Sequence, residues 1–373
     1  MERTINWMQS VSSPGRPKAN PWLEPTPGLE PWCLLAESPI RGMFSQGGEF
    51  SSSPNSRAFA VAGTLFYELF DDQTFIVRGT VSDAGISGGV GDSATITTNG
   101  TAGDQLAISA GGEGYIYDLT ADTLTQITDM DFITPVYTVV FIDGYFVWLV
   151  ALSRKFFWSA LEDGLSYDAL DVAEVSRTAD DLAGMAQSHG QLWLFGQLTT
   201  DVWADTGGPA IFQPATGGFI EQGAAAPFAI SPIDNTLMWL GQNSLGKGVV
   251  YRADGYTPKR VSDQGIEYQL SLCNRLDNAI SWTYQDNGHS FYCLNCPALD
   301  NTDFDTTKVY DVSVGQWHEI AYSVLPFTSD RDFRRYPGRN HMLAFGEHLI
   351  GDRQTGAIYR QSLTLTDYNI YVP

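Results

Sequence analysis

Between Leu182 and Tyr256 one pattern occurs twice. A short apolar strand closes on glycine (QLWLFG from Gln191, TLMWLG from Thr236), and an aromatic-centred strand ending on an acid follows (DVWAD around Trp203, VVYRAD around Tyr251). The pattern recurs along the chain, with aromatic anchors at Tyr67, Tyr117, Trp158, Trp203, Tyr251, Tyr310 and Tyr359 and successive steps of 50, 41, 45, 48, 59 and 49 residues. Periods of this size belong to repeat architectures, in which each unit buries its apolar face against the next. Units made of short strands are the blades of a β-propeller. Seven anchors predict about seven blades, with six as the alternative if the last unit is an addition.

From Pro39 onward each repeat divides into three or four short strands. An inner strand (IRGMF from Ile40, YTVVF from Tyr137, FAISPI from Phe228, ISWTY from Ile280) precedes a more apolar second strand (AFAVAG from Ala58, QLAISA from Gln105, YFVWLV from Tyr145, SFYCL from Ser290). The anchor strand comes third, and a polar outer strand such as TLTQIT from Thr123 or PKRVS from Pro258 comes last. Segments such as YFVWLV are apolar at consecutive rather than alternate positions, so both faces of their sheet must be covered. Blades stacked face to face around an axis meet that demand, and a single half-exposed sheet does not. Pairs such as Asp143-Gly144, Asp163-Gly164, Asp254-Gly255 and Asn287-Gly288 supply tight turns. The best helical stretch is Tyr167 to Glu174, whose aspartates suit an outer connection equally well. The expected class is all-β.

The first 38 residues differ in kind. Pro14, Pro17, Pro21, Pro25, Pro27 and Pro31 oppose a regular ladder and favour an extended, polyproline-like path, while Trp7, Trp22 and Trp32 are poorly suited to water. The reading is an extended arm over 1–38, laid on its own propeller or on a neighbouring subunit, with a disordered tail as the alternative, followed by a propeller over 39–373, whose last blade is incomplete if nothing else supplies a strand. Trp7 and Trp22 are candidate partner contacts, and leaving them uncovered in a monomer points to a homo-oligomer.

Forty-three Asp and Glu against 21 Lys and Arg give a net charge of −22. A protein that clamps nucleic acid by neutralising phosphates shows a basic excess, so this balance argues against ordinary DNA binding. It is compatible with a duct through which DNA slides, because a negative lumen repels phosphates over a Debye length of about 8 Å. The N-terminus lacks the basic flank and apolar core of a secretory signal, and the longest apolar run, Tyr145 to Leu152, is far short of a membrane helix. The expectation is a soluble protein made in the cytoplasm, with Cys33, Cys273, Cys293 and Cys296 as free thiols.

No reactive centre stands out. Cys293-x-x-Cys296 has zinc-knuckle spacing without a second ligand pair, and Asp303 and Asp305 lack the glycine and closing Glu of a calcium loop. GISGGVGD, from Gly85 to Asp92, lacks the Lys-Ser/Thr of a phosphate loop, and the five histidines are scattered over different repeats without a nucleophile elbow. No catalytic residue, metal or cofactor is expected. One basic cluster interrupts the acidic whole: RDFRRYPGR, with Arg331, Arg334, Arg335 and Arg339. It reads either as a docking surface for an acidic partner or DNA phosphates, or as a solvated loop between blades.

Longer segments resemble one family. NPWLEPTPGLEPW leading to SPIRGMF, the run WSALEDGLSYDALDVAEVSRTADDLAGMAQSHGQLWLFGQLTTDVWADTGG, FIEQGAAAPFAISPIDNTLMWLGQN, GKGVVYRADGYTPKRVS, and NGHSFYCLNCP followed by VYDVSVGQWHE are similar to the packaged-DNA stabilisation proteins of short-tailed phages, from about residue 20 to 362. The resemblance implies a non-enzymatic virion protein of the tail hub or nozzle, made in the bacterial cytoplasm. It implies a β-propeller assembled as a ring, usually a hexamer, below the portal and its adaptor. Such a ring extends the DNA channel, retains the packaged genome, passes DNA without sequence-specific binding, and offers sites for fibres, spikes or a needle. The matching residues Trp193, Trp203, Trp239 and Tyr251 are implied to be anchors. Gly207, Gly241 and Gly255 are implied to be turns. Where members of the family continue, this chain stops at Pro373, so an N-terminal strand or a separate polypeptide is expected to complete the last blade. Two alternatives belong to other classes: a carbohydrate-active propeller enzyme and a propeller scaffold for protein interactions.

Overall fold

The computed structural model describes residues 4–11, 21–47, 57–86, 93–208, 210–273, 275–296, 307–323 and 333–364. Seven antiparallel sheets follow one another as blades: blade 1 over 40–80, blade 2 over 95–126, blade 3 over 136–174, blade 4 over 182–220, blade 5 over 223–260, blade 6 over 280–335, and blade 7 over 338–362. Each blade runs outward through strands A to D. The D strand of blade 7 comes from the N-terminal part of the chain, as described below.

The residues explain the blades locally. Strand B buries five or more consecutive residues in blades 1 to 6, as its uninterrupted apolar run demands. The A–B connection is a two-residue turn with both φ positive at Asp143-Gly144, His189-Gly190, Asp234-Asn235, Asn287-Gly288 and Phe345-Gly346. This is the backbone of a type I′ hairpin, whose twist matches that of the flanking strands. Outer strands such as Thr123–Gln126 and Thr257–Arg260 are mostly exposed, and Pro258 and Lys259 protect the latter from edge pairing. Burial is organised between blades. Seven apolar clusters fill the seven seams; Trp148 and Phe157, for example, lie between blades 2 and 3, and Trp193 and Trp239 between blades 4 and 5.

Three strands precede blade 1: β1 (Trp7–Val11), β2 (Pro21–Pro25) and β3 (Gly28–Leu34). The segment read as one extended arm is therefore a hairpin followed by a propeller strand. β1 and β2 pair with each other, and Asn6 fastens the hairpin to blade 6, its amide N–H bonding the Glu319 carbonyl at 2.8 Å. β3 pairs with the third strand of blade 7, Ala357–Ser362, from Gly28 opposite Ser362 to Leu34 opposite Ala357. Pro31 is tolerated because it sits on an outer edge, beside a register shift. The last blade thus has four strands, the fourth supplied by a segment that precedes residue 38.

The helix also differs from expectation. Tyr167 to Glu174 forms an outer connection ending in the strand Val172–Glu174, whereas the longest helix among the described residues is Gln264–Ser271, in the crossing from blade 5 to blade 6. Asp263 caps it by accepting from the Ile266 amide at 3.0 Å, and Ile266 and Leu270 bury one face. Only eight residues carry the pattern and Gly265 interrupts it, so the signal in sequence is slight.

Candidate functional site

Each of the seven anchors lies on the third strand of a different blade: Tyr67 in blade 1, Tyr117 in blade 2, Trp158 in blade 3, Trp203 in blade 4, Tyr251 in blade 5, Tyr310 in blade 6 and Tyr359 in blade 7. Tyr67, Tyr117, Trp158, Trp203 and Tyr359 are buried, and Tyr251 and Tyr310 are partly buried. Six pack toward the preceding blade, but Trp158 packs into the seam with the following one, against Phe212 at 5.1 Å and in the same cluster as Trp203. Its neighbour Phe157 faces the preceding seam instead, packed edge-on against Phe132 at 5.1 Å. The pleat has a period of two, so one residue of offset decides the face.

The basic cluster is divided by the fold. Arg331 lies outside the described residues. Arg334 pairs with Tyr322, and Arg335 with Ala321, on a fifth strand, Phe333–Arg335, of blade 6. Tyr336 is buried, with its ring stacked on Trp282 at 6.4 Å. Arg339 is buried on the inner strand of blade 7, where its Nη2 donates to Ser93 Oγ at 2.8 Å. A single exposed patch of four arginines is therefore not what these residues form. Asp303, Asp305 and residues 87–92 also lie outside the described residues. Among those described, no group of three or more His, Cys, Asp or Glu could hold a metal ion, and no helix is long and apolar enough to cross a membrane. The four cysteines are free thiols.

Two features remain that could meet something outside the chain. The first is the N-terminal hairpin. Met8 is buried against blades 6 and 7, while Trp7, Trp22 and Leu23 stand 46%, 43% and 54% exposed. The second is the axis. A cavity of about 540 Å³ is lined by all seven inner strands, with Arg41, Thr95, Thr138, Gln187, Ser231, Ser281 and Asn340 each contributed by a different blade. Hydroxyls bond along its wall, as between Ser231 and Ser281 at 2.7 Å, and Arg41 Nη1 donates to the carbonyls of Gly63 and Ser82 at 2.9 and 2.7 Å. Among the described residues lining it there is no Asp or Glu, although acids outnumber bases two to one in the chain. The described lining of the propeller's own axis is therefore not acidic.

The family model described as "Bacteriophage P22 Gp10, beta-propeller" matches residues 19–365, which includes all seven blades and the closing strand β3. This chain belongs to that phage stabilisation family. Membership makes it a phage structural protein, in keeping with the disc of stacked blades. No individual curated protein matches the sequence. Among solved structures, the extracellular domain of the putative one component system BT4673 from B. thetaiotaomicron is similar at 10% identity and a TM-score of 0.55; the match covers 90% of this chain and 40% of that one. PorZ of the type-IX secretion system of Porphyromonas gingivalis is similar at 10% identity and a TM-score of 0.46, over 88% of this chain and 37% of that one. This chain thus spans about two fifths of the length of these proteins. At this identity the likeness to the first concerns the fold alone.

Proposed function

We propose that this chain is a subunit of the tail hub or nozzle of a short-tailed phage or prophage. It is one member of a ring, expected to be sixfold, below the portal and its adaptor. The ring extends the DNA channel, retains packaged DNA, passes it at ejection, and presents surfaces to fibres, spikes or a needle. The observation that carries the reading is the family match running through every blade of a closed disc. Chemistry of the axis supports a limit on it. With no carboxylate among the described residues lining the propeller's axis, the DNA channel is read as the lumen between subunits. Trp7, Trp22 and Leu23 are the apolar surface such neighbours would cover.

The carbohydrate-active alternative needs carboxylates gathered at a channel mouth, and the described lining of the axial cavity has none. Cryo-electron microscopy of purified particles, with mass spectrometry of their tails, tests the proposal. The expected outcome is multiple copies of this chain around the DNA path below the portal. Particles that contain DNA and lack the chain would sink it.

A further inference from the structure

Four of the chain's five histidines meet in one seam. His289 and His318 stand on the face of blade 6 that packs against blade 7, and His341 and His348 on the facing side of blade 7; His189 lies apart, in the A–B turn of blade 4. His341 Nε2 and His348 Nδ1 are 3.0 Å apart, a contact with room for one shared proton. Both rings lie against Tyr284 of blade 6, at 5.7 and 6.0 Å. His289 Nδ1 bonds Asp311 Oδ2 at 2.6 Å, and the buried ring of His318 meets Phe291 edge-on at 6.0 Å.

Carboxylates also enter the seam, and two of them already have partners there, Asp311 at His289 and Asp352 at the Tyr359 hydroxyl. Blade 6 contributes Asp286 and Cys293 besides Tyr284 and Asp311, and blade 7 contributes Tyr359, whose hydroxyl donates to Asp352 at 2.9 Å. Tyr336 enters from the crossing between the blades, and Glu319, next to His318, is paired with Lys308 at 3.0 Å. Among the described residues of the N-terminal strands, Met8 and Leu29 belong to the seam's apolar cluster.

We infer that the seam between blades 6 and 7 is an acid-opened joint: protonation of its imidazoles parts blade 7 from blade 6 and releases the N-terminal strands wedged there, while the other six seams stay closed. Burial, with the nearby His289, lowers His318 from its ordinary 6.5 to about 4, and burial with His348 holds His341 well below the usual range. Both are therefore neutral in the closed seam. The stability they support is complete above pH 6.5 and declines as the pH falls from there toward about 4 for His318 and about 3 for His341, because the opened state binds the protons more readily.

The cysteines are built-in reporters. Cys293 is fully buried in this seam, and Cys296 is buried in the next, between blades 5 and 6. The full chain would be treated with dithiodipyridine, which reacts with thiols in acid, at neutral pH and at about pH 4.5, and the labelled peptides mapped by mass spectrometry. Labelling of Cys293 is expected to rise about tenfold or more in acid while Cys296 stays shielded. Equal rises at both cysteines, or none at Cys293, would overturn the inference. In His318→Gln/His341→Asn, Cys293 should stay shielded in acid; parent-like labelling there would also overturn it. If that variant is already labelled at neutral pH, the comparison of Cys293 with Cys296 in the parent decides.

Discussion

At the scale of single residues, the side chains that hold blades in place act through backbone groups that sheet pairing leaves over. Asp180, in the crossing from blade 3 to blade 4, accepts from the amides of Gln197, Leu198 and Thr199 at 3.1, 2.7 and 2.8 Å. A carboxylate with several amide donors replaces the partners that a buried turn would otherwise lack. Asp180→Ala should therefore destabilise the fold by about 2–4 kcal/mol, read as a lower denaturant midpoint. A change within error would mean that water replaces the carboxylate. Nothing local marks Asp180 among 43 acids. Arg339 is the converse case. It sits in a conspicuous run of arginines, yet chain direction carries it inward while Arg334 and Arg335 pair on a fifth strand.

At the scale of elements, most strands were legible because hairpins are local objects: apolar run, tight turn and partner stand within a few residues of each other. The N-terminal segment was not, since the partner of β3 lies more than three hundred residues away. Its tryptophans also diverge. Trp32 is buried in the seam between blades 7 and 1, stacked on Phe345 at 6.0 Å, while Trp7 and Trp22 look outward. Trp32→Ala should cost about 3–5 kcal/mol, because it empties a filled seam on the closing strand. Trp7→Ser/Trp22→Ser should leave folding stability within about 0.5 kcal/mol. The same double variant should weaken self-association measured by light scattering. If it assembles as well as the parent, the hairpin is not the interface.

At the scale of the whole molecule, seven blades share the work of burial but not the response to acid, because the histidines are concentrated in one seam. A pH titration followed by hydrogen exchange should show β3 and the hairpin losing protection before blades 2 to 5 do. Simultaneous loss everywhere would indicate ordinary global acid unfolding. Neither pattern is visible in a sequence where the five histidines look scattered. The sequence alone determined the all-β class, the repeat, the third-strand positions of the anchors and the family, because apolar strand runs, tight turns and long motifs are written in consecutive residues. Tertiary structure decided how the last blade closes, which seam receives Trp158, where Arg339 goes, and that the axis is lined without carboxylates. Those outcomes depend on which distant segments share a seam and on which face of the pleat a residue falls, and a one-residue offset or a remote strand changes both without altering the local pattern.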